Sequence, residues 1–197
     1  MNRILIFFLF FAFSNVIYAQ NEEINLFKNI LKKGDSISQT KIDSIQIIKT
    51  ATKLDKKHPS QYYNEMANLL SAEKYNEASF LFYLGQMRYK FYNSANPKYQ
   101  PGNDGALFTS LKTVLGEPIN LFTRINSENF IRILILAKEY YKNHDYKFYP
   151  KKNNIEKYDA QINNIDELIK MIQKERSTLE TNWNEERKEY IEIYRDK

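Results

Sequence analysis

Three observations predict an all-α fold. Apolar residues recur at helical spacing along most of the chain, and no stretch alternates as a strand does. The run NEASFLFYLGQMRYKFY, residues 76–92, is apolar on every side of a helix over its first half, as a central buried helix requires. The last 43 residues carry a heptad pattern free of proline and glycine.

The opening stretch, MNRILIFFLFFAFSNVIYAQ, stands apart from the rest. Arg3 gives a basic start, Ile4 to Phe13 is unbroken apolar sequence, and Ala19 places a small residue before a cut. Residues 1–19 read as a cleaved secretory leader, so the protein is expected in the periplasm or outside the cell. Ten apolar residues fall short of the about 20 that span a bilayer, so no membrane span is expected after cleavage. The chain has no cysteine, so an exported domain must rely on its core without disulfides.

Residues 20–154 are expected to form one helical domain. Ile24 to Leu31 shows one apolar face, and Gly34-Asp35-Ser36 marks its stop. A second helix is expected from Thr40 to Leu54, with Ile42, Ile45, Ile48, Ala51 and Leu54 on one side. Pro59 suits the start of a third. Tyr63, Met66, Ala67 and Leu70 then repeat at helical spacing, Ala72 to Tyr75 makes a turn, and Ala78, Phe82 and Gly85 lie on the facing side of the next helix. This is the spacing of one tetratricopeptide-like hairpin, and a single unit argues against a repeat array. The polar C-terminal half of the 76–92 helix is expected at the surface.

Asn93 to Gly105 is the clearest loop, with two prolines and two glycines. Asp104 is placed to cap a helix from Ala106 to Leu115, which Gly116 ends, and Pro118 opens a short segment over 119–122. Ser127 is placed to cap an apolar helix, Phe130 to Tyr141. A second loop runs from Lys142 to Asn154. From Ile155, ten of twelve heptad a and d positions are apolar, Arg176 and Glu186 being the exceptions. Residues 155–197 therefore read as a long amphipathic helix that either pairs with a second copy or folds back, as one helix or two, on its own domain.

Charge is uneven. Residues 20–154 hold 20 lysines and arginines against 13 acids, and residues 155–197 hold 8 against 11. No basic block is dense enough to predict nucleic-acid binding. Nucleophilic cysteine chemistry is excluded. The two histidines, His58 and His144, lack ligands at metal spacing, so no metal or other cofactor is expected. Serine-hydrolase, phosphate-loop and dinucleotide motifs are missing. Carboxylates near the central segment, Glu65, Glu77, Glu117 and Glu128, are the remaining route to hydrolysis of a glycosidic bond.

Arg88 sits one turn past Leu84 on the most apolar helix, where a guanidinium needs a carboxylate or a carbonyl. It reads either as a paired arginine that pins helices or as a partner anchor. With Tyr89, Tyr92, Tyr99 and Asp104 it makes up the candidate surface for a protein partner, since tyrosine and arginine dominate binding hot spots.

The phrases HPSQYY, EASFLFYLGQMRY, ANP, GALFTSL and GEPIN, all within residues 58–120, resemble a block found in uncharacterised exported bacterial proteins. That resemblance implies export and a helical build, with no activity attached. By analogy of size, export and helical build, it extends to immunity proteins that neutralise bacterial toxins. The expected function is thus a non-enzymatic binding module whose partner is a protein, such as a toxin. A carboxylate-based cell-wall hydrolase and an assembly protein acting through residues 155–197 are the alternatives.

Overall fold

A computed structural model describes residues 21–195. The leader expected over residues 1–19 lies outside the described residues. Helix α1 covers residues 21–38, followed by α2 (Ser44–Leu54), α3 (Ser60–Ser71), α4 (Tyr75–Ala95), α5 (Ala106–Thr123), α6 (Ser127–Asn143), α7 (Ile155–Lys174) and α8 (Arg176–Arg195). The described residues contain no strand, and the fold is all-α.

Helix α4 is the axis of the bundle and packs against α3, α5, α6 and α7. Every residue from Ala78 to Gly85 is buried, as the all-round apolar pattern predicts. Burial continues through Met87, Arg88, Tyr89 and Phe91, so the C-terminal half stays inside the bundle, contrary to expectation. Aromatic rings are the reason: His58, Phe108, Phe148, Tyr149 and Tyr158 pack on this end of α4. Each large apolar side chain buried contributes about 1.5–3 kcal/mol, which makes α4 the main stabilising element.

The hairpin of α3 and α4 closes tightly. A Cβ on Gly85 would lie 2.8 Å from the Cβ of Tyr62, a distance that leaves no room for a side chain. The turn between them places Glu73 at φ 58°, in the left-handed region that glycine prefers.

Several expected boundaries move. Helix α1 runs past Gly34 to residue 38, because Gly34 lies against Ile125 within the packed helix. The buried stripe of α2 is Ile47, Ala51 and Leu54, while Ile45 is 85% exposed. Helix α5 is continuous through Gly116 and Pro118. Pro118 would free the carbonyl of Val114, and Val114 is 71% exposed, so water can take that carbonyl's hydrogen bond. Asn126, rather than Ser127, caps α6 by accepting from the Asn129 N–H.

Of the alternatives for the C-terminal segment, the structure shows two helices on the domain rather than one long helix, broken at Glu175. The break falls beside Arg176, where the apolar seam is first interrupted. Along α7 the seam residues Tyr158, Ile165, Ile169 and Ile172 are buried against the domain. Helix α8 has no buried residue. It lies on the body through stacking of Tyr190 and Tyr194 on Phe27 and a Trp183 contact with Phe130. No helix among the described residues is long and apolar enough to cross a membrane.

Candidate functional site

Arg88 projects from α4 into the centre of the bundle with 0% of its surface exposed. Its Nε lies 2.9 Å from Oδ1 of Asp55, an ion pair just past the end of α2. Nη1 donates to the Tyr158 hydroxyl at 2.8 Å, and Nη2 donates to the His144 carbonyl at 2.7 Å. The guanidinium carbon sits 4.6 Å from the ring centre of Tyr141 and 5.2 Å from that of Tyr146. Asp55 is satisfied from the other side: Tyr62 donates to Oδ1 and Tyr140 to Oδ2, both at 2.7 Å. Burial is the largest single influence and opposes the charge on Arg88, but the Asp55 carboxylate together with the Tyr62 and Tyr158 phenols outweighs it, so the proton is held more tightly than usual. Burial, together with Asp55, keeps the Tyr62 phenol neutral far above its usual range.

This centre ties α2, α3, α4, α6 and α7 to the 144–149 loop. Tyr146 donates to the Lys57 carbonyl and the Phe148 N–H to the Asp55 carbonyl, each at 2.8 Å. Arg88 thus meets the carboxylate and the carbonyl that a buried guanidinium needs. It is closed to solvent and so unable to meet a partner.

The other proposed contact residues divide. Tyr89 is buried against Phe108, with ring centres 4.7 Å apart, and presents no surface. Tyr92 is half-buried between Phe148 and Tyr149. Tyr99 is half-buried and packs over Gly105. Asp104 does not cap α5; its Oδ1 lies 3.1 Å from Nε2 of His58. The structure therefore places Tyr92, Tyr99 and Asp104 around one loop and leaves Arg88 and Tyr89 in the core.

His58 also contacts the Ser60 hydroxyl through Nδ1 at 2.9 Å, and the Ser60 N–H donates to the same nitrogen. Two donors on Nδ1 fit the tautomer with its proton on Nε2, directed at Asp104. The order Ser60, His58, Asp104 is that of a hydrolytic relay. Yet the next N–H groups of α3, those of Gln61 and Tyr62, bond to the His58 and Pro59 carbonyls, so no pair of free donors stands ready for an oxyanion. The imidazole packs edge-on against Tyr89, Tyr92 and Phe148. Its role is to fasten the 96–105 loop to the start of α3.

Several concave surfaces lie elsewhere on the described residues, two of them along α5. A groove with a volume of about 730 Å³ runs between α1 and α5 over the end of α3. Its apolar lining comes from Leu26 and Phe27 on one side and Val114, Leu115 and Pro118 on the other, with Leu70 and Tyr75 below, and Asn25, Asn29, Ser71 and Thr113 add polar surface. Its charged lining residues are Glu22, Glu23, Glu73 and Glu117, with no lysine or arginine. A smaller cleft of about 310 Å³ between α5 and α8 brings together Glu117, Glu186, Trp183 and Tyr190. Both carboxylates are engaged there, Glu117 by the Tyr190 hydroxyl at 2.9 Å and Glu186 by Arg124. Among the described residues no group of three histidine, aspartate or glutamate side chains is arranged to hold a metal ion.

Comparison with family models, curated proteins and solved structures finds no match to this chain.

Sequence reasoning missed Asp55 and the α1–α5 groove. Asp55 carried a signal: it continues the stripe of Ile47 and Ala51, an acid on an apolar face, just as Arg88 is a base on one. The groove carried none, because its lining comes from three separate segments, 22–29, 67–75 and 113–118.

Proposed function

We propose that this chain is an exported, non-enzymatic protein-binding module, and that the groove between α1 and α5 is its recognition surface. The observation that carries this reading is an apolar trough with an acidic rim on an otherwise basic domain. Exposed apolar surface of this kind marks interaction sites, and Val114, 71% exposed, stands on its wall. Export rests on the leader-like residues 1–19. The sharpest form of the reading is an immunity protein that blocks a toxin.

The hydrolase alternative would draw on Glu117 and Glu186 in the α5–α8 cleft. Acid–base hydrolysis needs one proton donor and one base facing an open gap. Here each carboxylate is held by a structural neighbour, which favours the binding reading.

The test is affinity capture from the protein's own cells with wild type and Val114→Arg. Arginine favours helix more than valine does, so the variant is expected to keep the fold. A partner held by wild type and lost by the variant supports the reading. A partner held equally by both, or cell-wall turnover by the pure protein, refutes it.

A further inference from the structure

We infer that α8 is an exchangeable arm. It unhinges at Glu175, continues α7 as one straight helix, and docks on the body of a second copy of this chain while that copy's α8 docks back. This goes beyond the binding-module reading and does not depend on it.

The first observation is the way α8 is held. It leaves α7 and crosses α6, α5 and α1. Trp183 meets Phe130 with ring centres 6.4 Å apart, and Glu186 pairs with Arg124. The Tyr190 hydroxyl donates to Glu117 at 2.9 Å, and Arg187 lies 3.2 Å from Asp35. Tyr190 and Tyr194 stack on Phe27. Yet α8 buries none of its residues, and a cleft of about 310 Å³ stays open between it and α5. Exposed pairs of this kind are weak singly, so the arm opens ahead of the core. Opening uncovers Phe27 and Phe130, which are 2% and 6% exposed with the arm in place. The cover that fits those rings is displayed by α8 itself: aromatic residues at 183, 190 and 194, with an acid and a base between them at 186 and 187. The α8 of a second copy supplies that cover by identity, and every contact with the body is conserved in the exchange.

The second observation is the hinge. One residue, Glu175, separates the end of α7 at Lys174 from the start of α8 at Arg176. Helix–helix connections usually take about 2–8 residues. A single residue leaves no loop to absorb the bend, and short hinges favour exchange. Helical bonding reaches Glu175 from both sides: its N–H donates to the Met171 carbonyl, and its carbonyl accepts from the Leu179 N–H, each at 2.9 Å. Its φ of −105° and ψ of 16° border the right-handed helical region, so straightening crosses no forbidden conformation. Lys174, Glu175 and Arg176 are strong helix formers. The heptad seam also runs through the bend, with Ile172 before it and Leu179, Trp183 and Tyr190 after it. Straightened, the 20 residues of α8 extend about 30 Å beyond the bend, within reach of another copy.

The third observation is charge. Residues 155–197 carry 8 bases against 11 acids, and residues 20–154 carry 20 against 13. An acidic arm is attracted to the basic body of either copy.

The experiment follows mass by light scattering and native mass spectrometry, after a cycle of warming and cooling that lets α8 open. The wild type is expected to show a dimer whose share rises with concentration. Ser177→Pro is expected to stay monomeric at unchanged helicity. Proline is tolerated in the first turn of α8, whereas in an unbroken helix it removes a backbone bond and clashes with the preceding turn. Glu186→Arg and Arg124→Glu each set like charges against one another, in monomer and homodimer alike. Exchange between the two variants seats the reversed arm on the reversed body and the native arm on the native body. Their equal mixture is therefore expected to hold about tenfold more heterodimer than either homodimer, an excess that fades at high salt.

A wild type that stays monomeric at every concentration overturns the inference. So does a dimer that survives Ser177→Pro. So does a mixture in which the charge-reversed chains show no preference for each other, since a dimer built through another surface ignores the arm.

Discussion

Arg88 has no exposed surface and meets Asp55 at 2.9 Å inside the core. Arg124, Arg176 and Arg187 meet Glu186, Glu128 and Asp35 where α8 crosses the body, and all six of those side chains keep contact with water. The pairings use the same chemical groups in opposite surroundings. An exposed pair contributes ~0–1 kcal/mol because water and salt compete for both charges. A buried pair costs desolvation, and removing one member leaves an uncompensated charge in a dry site. Helix α8 is thus held by many weak contacts, and the α2–α4–α6–α7 centre by a few that cannot be broken singly.

Truncating the buried arginine attacks the strong side of this contrast. Arg88→Met is expected to lower unfolding free energy by about 3–5 kcal/mol in denaturant titrations, because Asp55 stays buried without its counter-charge. Combining it with Asp55→Asn should recover part of that loss, a coupling that a double-mutant cycle reads directly. Tyr62→Phe removes one donor from Asp55 and should cost roughly 1.5–3 kcal/mol. Gly85→Ala forces a Cβ against Tyr62 and should cost about 1–3 kcal/mol through separation of α3 from α4.

Alkaline titration reads the same centre through its phenols. Burial raises Tyr62, Tyr140, Tyr141 and Tyr146 above the unfolded value of about 10. A raised folded value means the neutral form is favoured in the fold. Its contribution is complete below pH about 10 and declines as pH climbs toward the folded values. Tyrosinate absorbance and helical circular dichroism should therefore change together above pH about 10. Ionisation of these tyrosines near pH 10 with helicity intact would show that the phenols are accessible.

The smallest effect lies on α8. Glu186→Gln should shift stability by no more than ~1 kcal/mol, and the difference should fade as salt is added.

The same contrast sorts what could be read from sequence. The axis helix was legible because Phe80, Leu81, Phe82, Tyr83 and Leu84 leave no polar face, whatever surrounds them. The need of Arg88 for an acid or a carbonyl was legible for the same reason. Asp55 showed as an acid on the face of Ile47 and Ala51, but its pairing with Arg88, like the approach of the His144 carbonyl, arises only through tertiary packing. Tyr89 was misread as a contact residue because a tyrosine in sequence looks alike in a core and on a surface. Pro118 and Gly116 looked like breaks but lie within α5, where an exposed Val114 and the Phe82 ring accommodate them. The tail heptads fixed helicity, and Arg176 and Glu186 marked the weakness in their seam, yet the direction of α8 after Glu175 depends on aromatic contacts far along the chain.

Native-state hydrogen exchange compares both regions in one experiment. Amides of α4 between Ala78 and Phe91 are predicted to exchange only through global unfolding, with the full denaturant dependence of the protein. Amides of α8 between Thr178 and Tyr194 are predicted to exchange through a local opening of lower free energy and little denaturant dependence. Equal exchange free energies and equal denaturant slopes in the two helices would contradict a tight arginine-centred core carrying a lightly fastened arm.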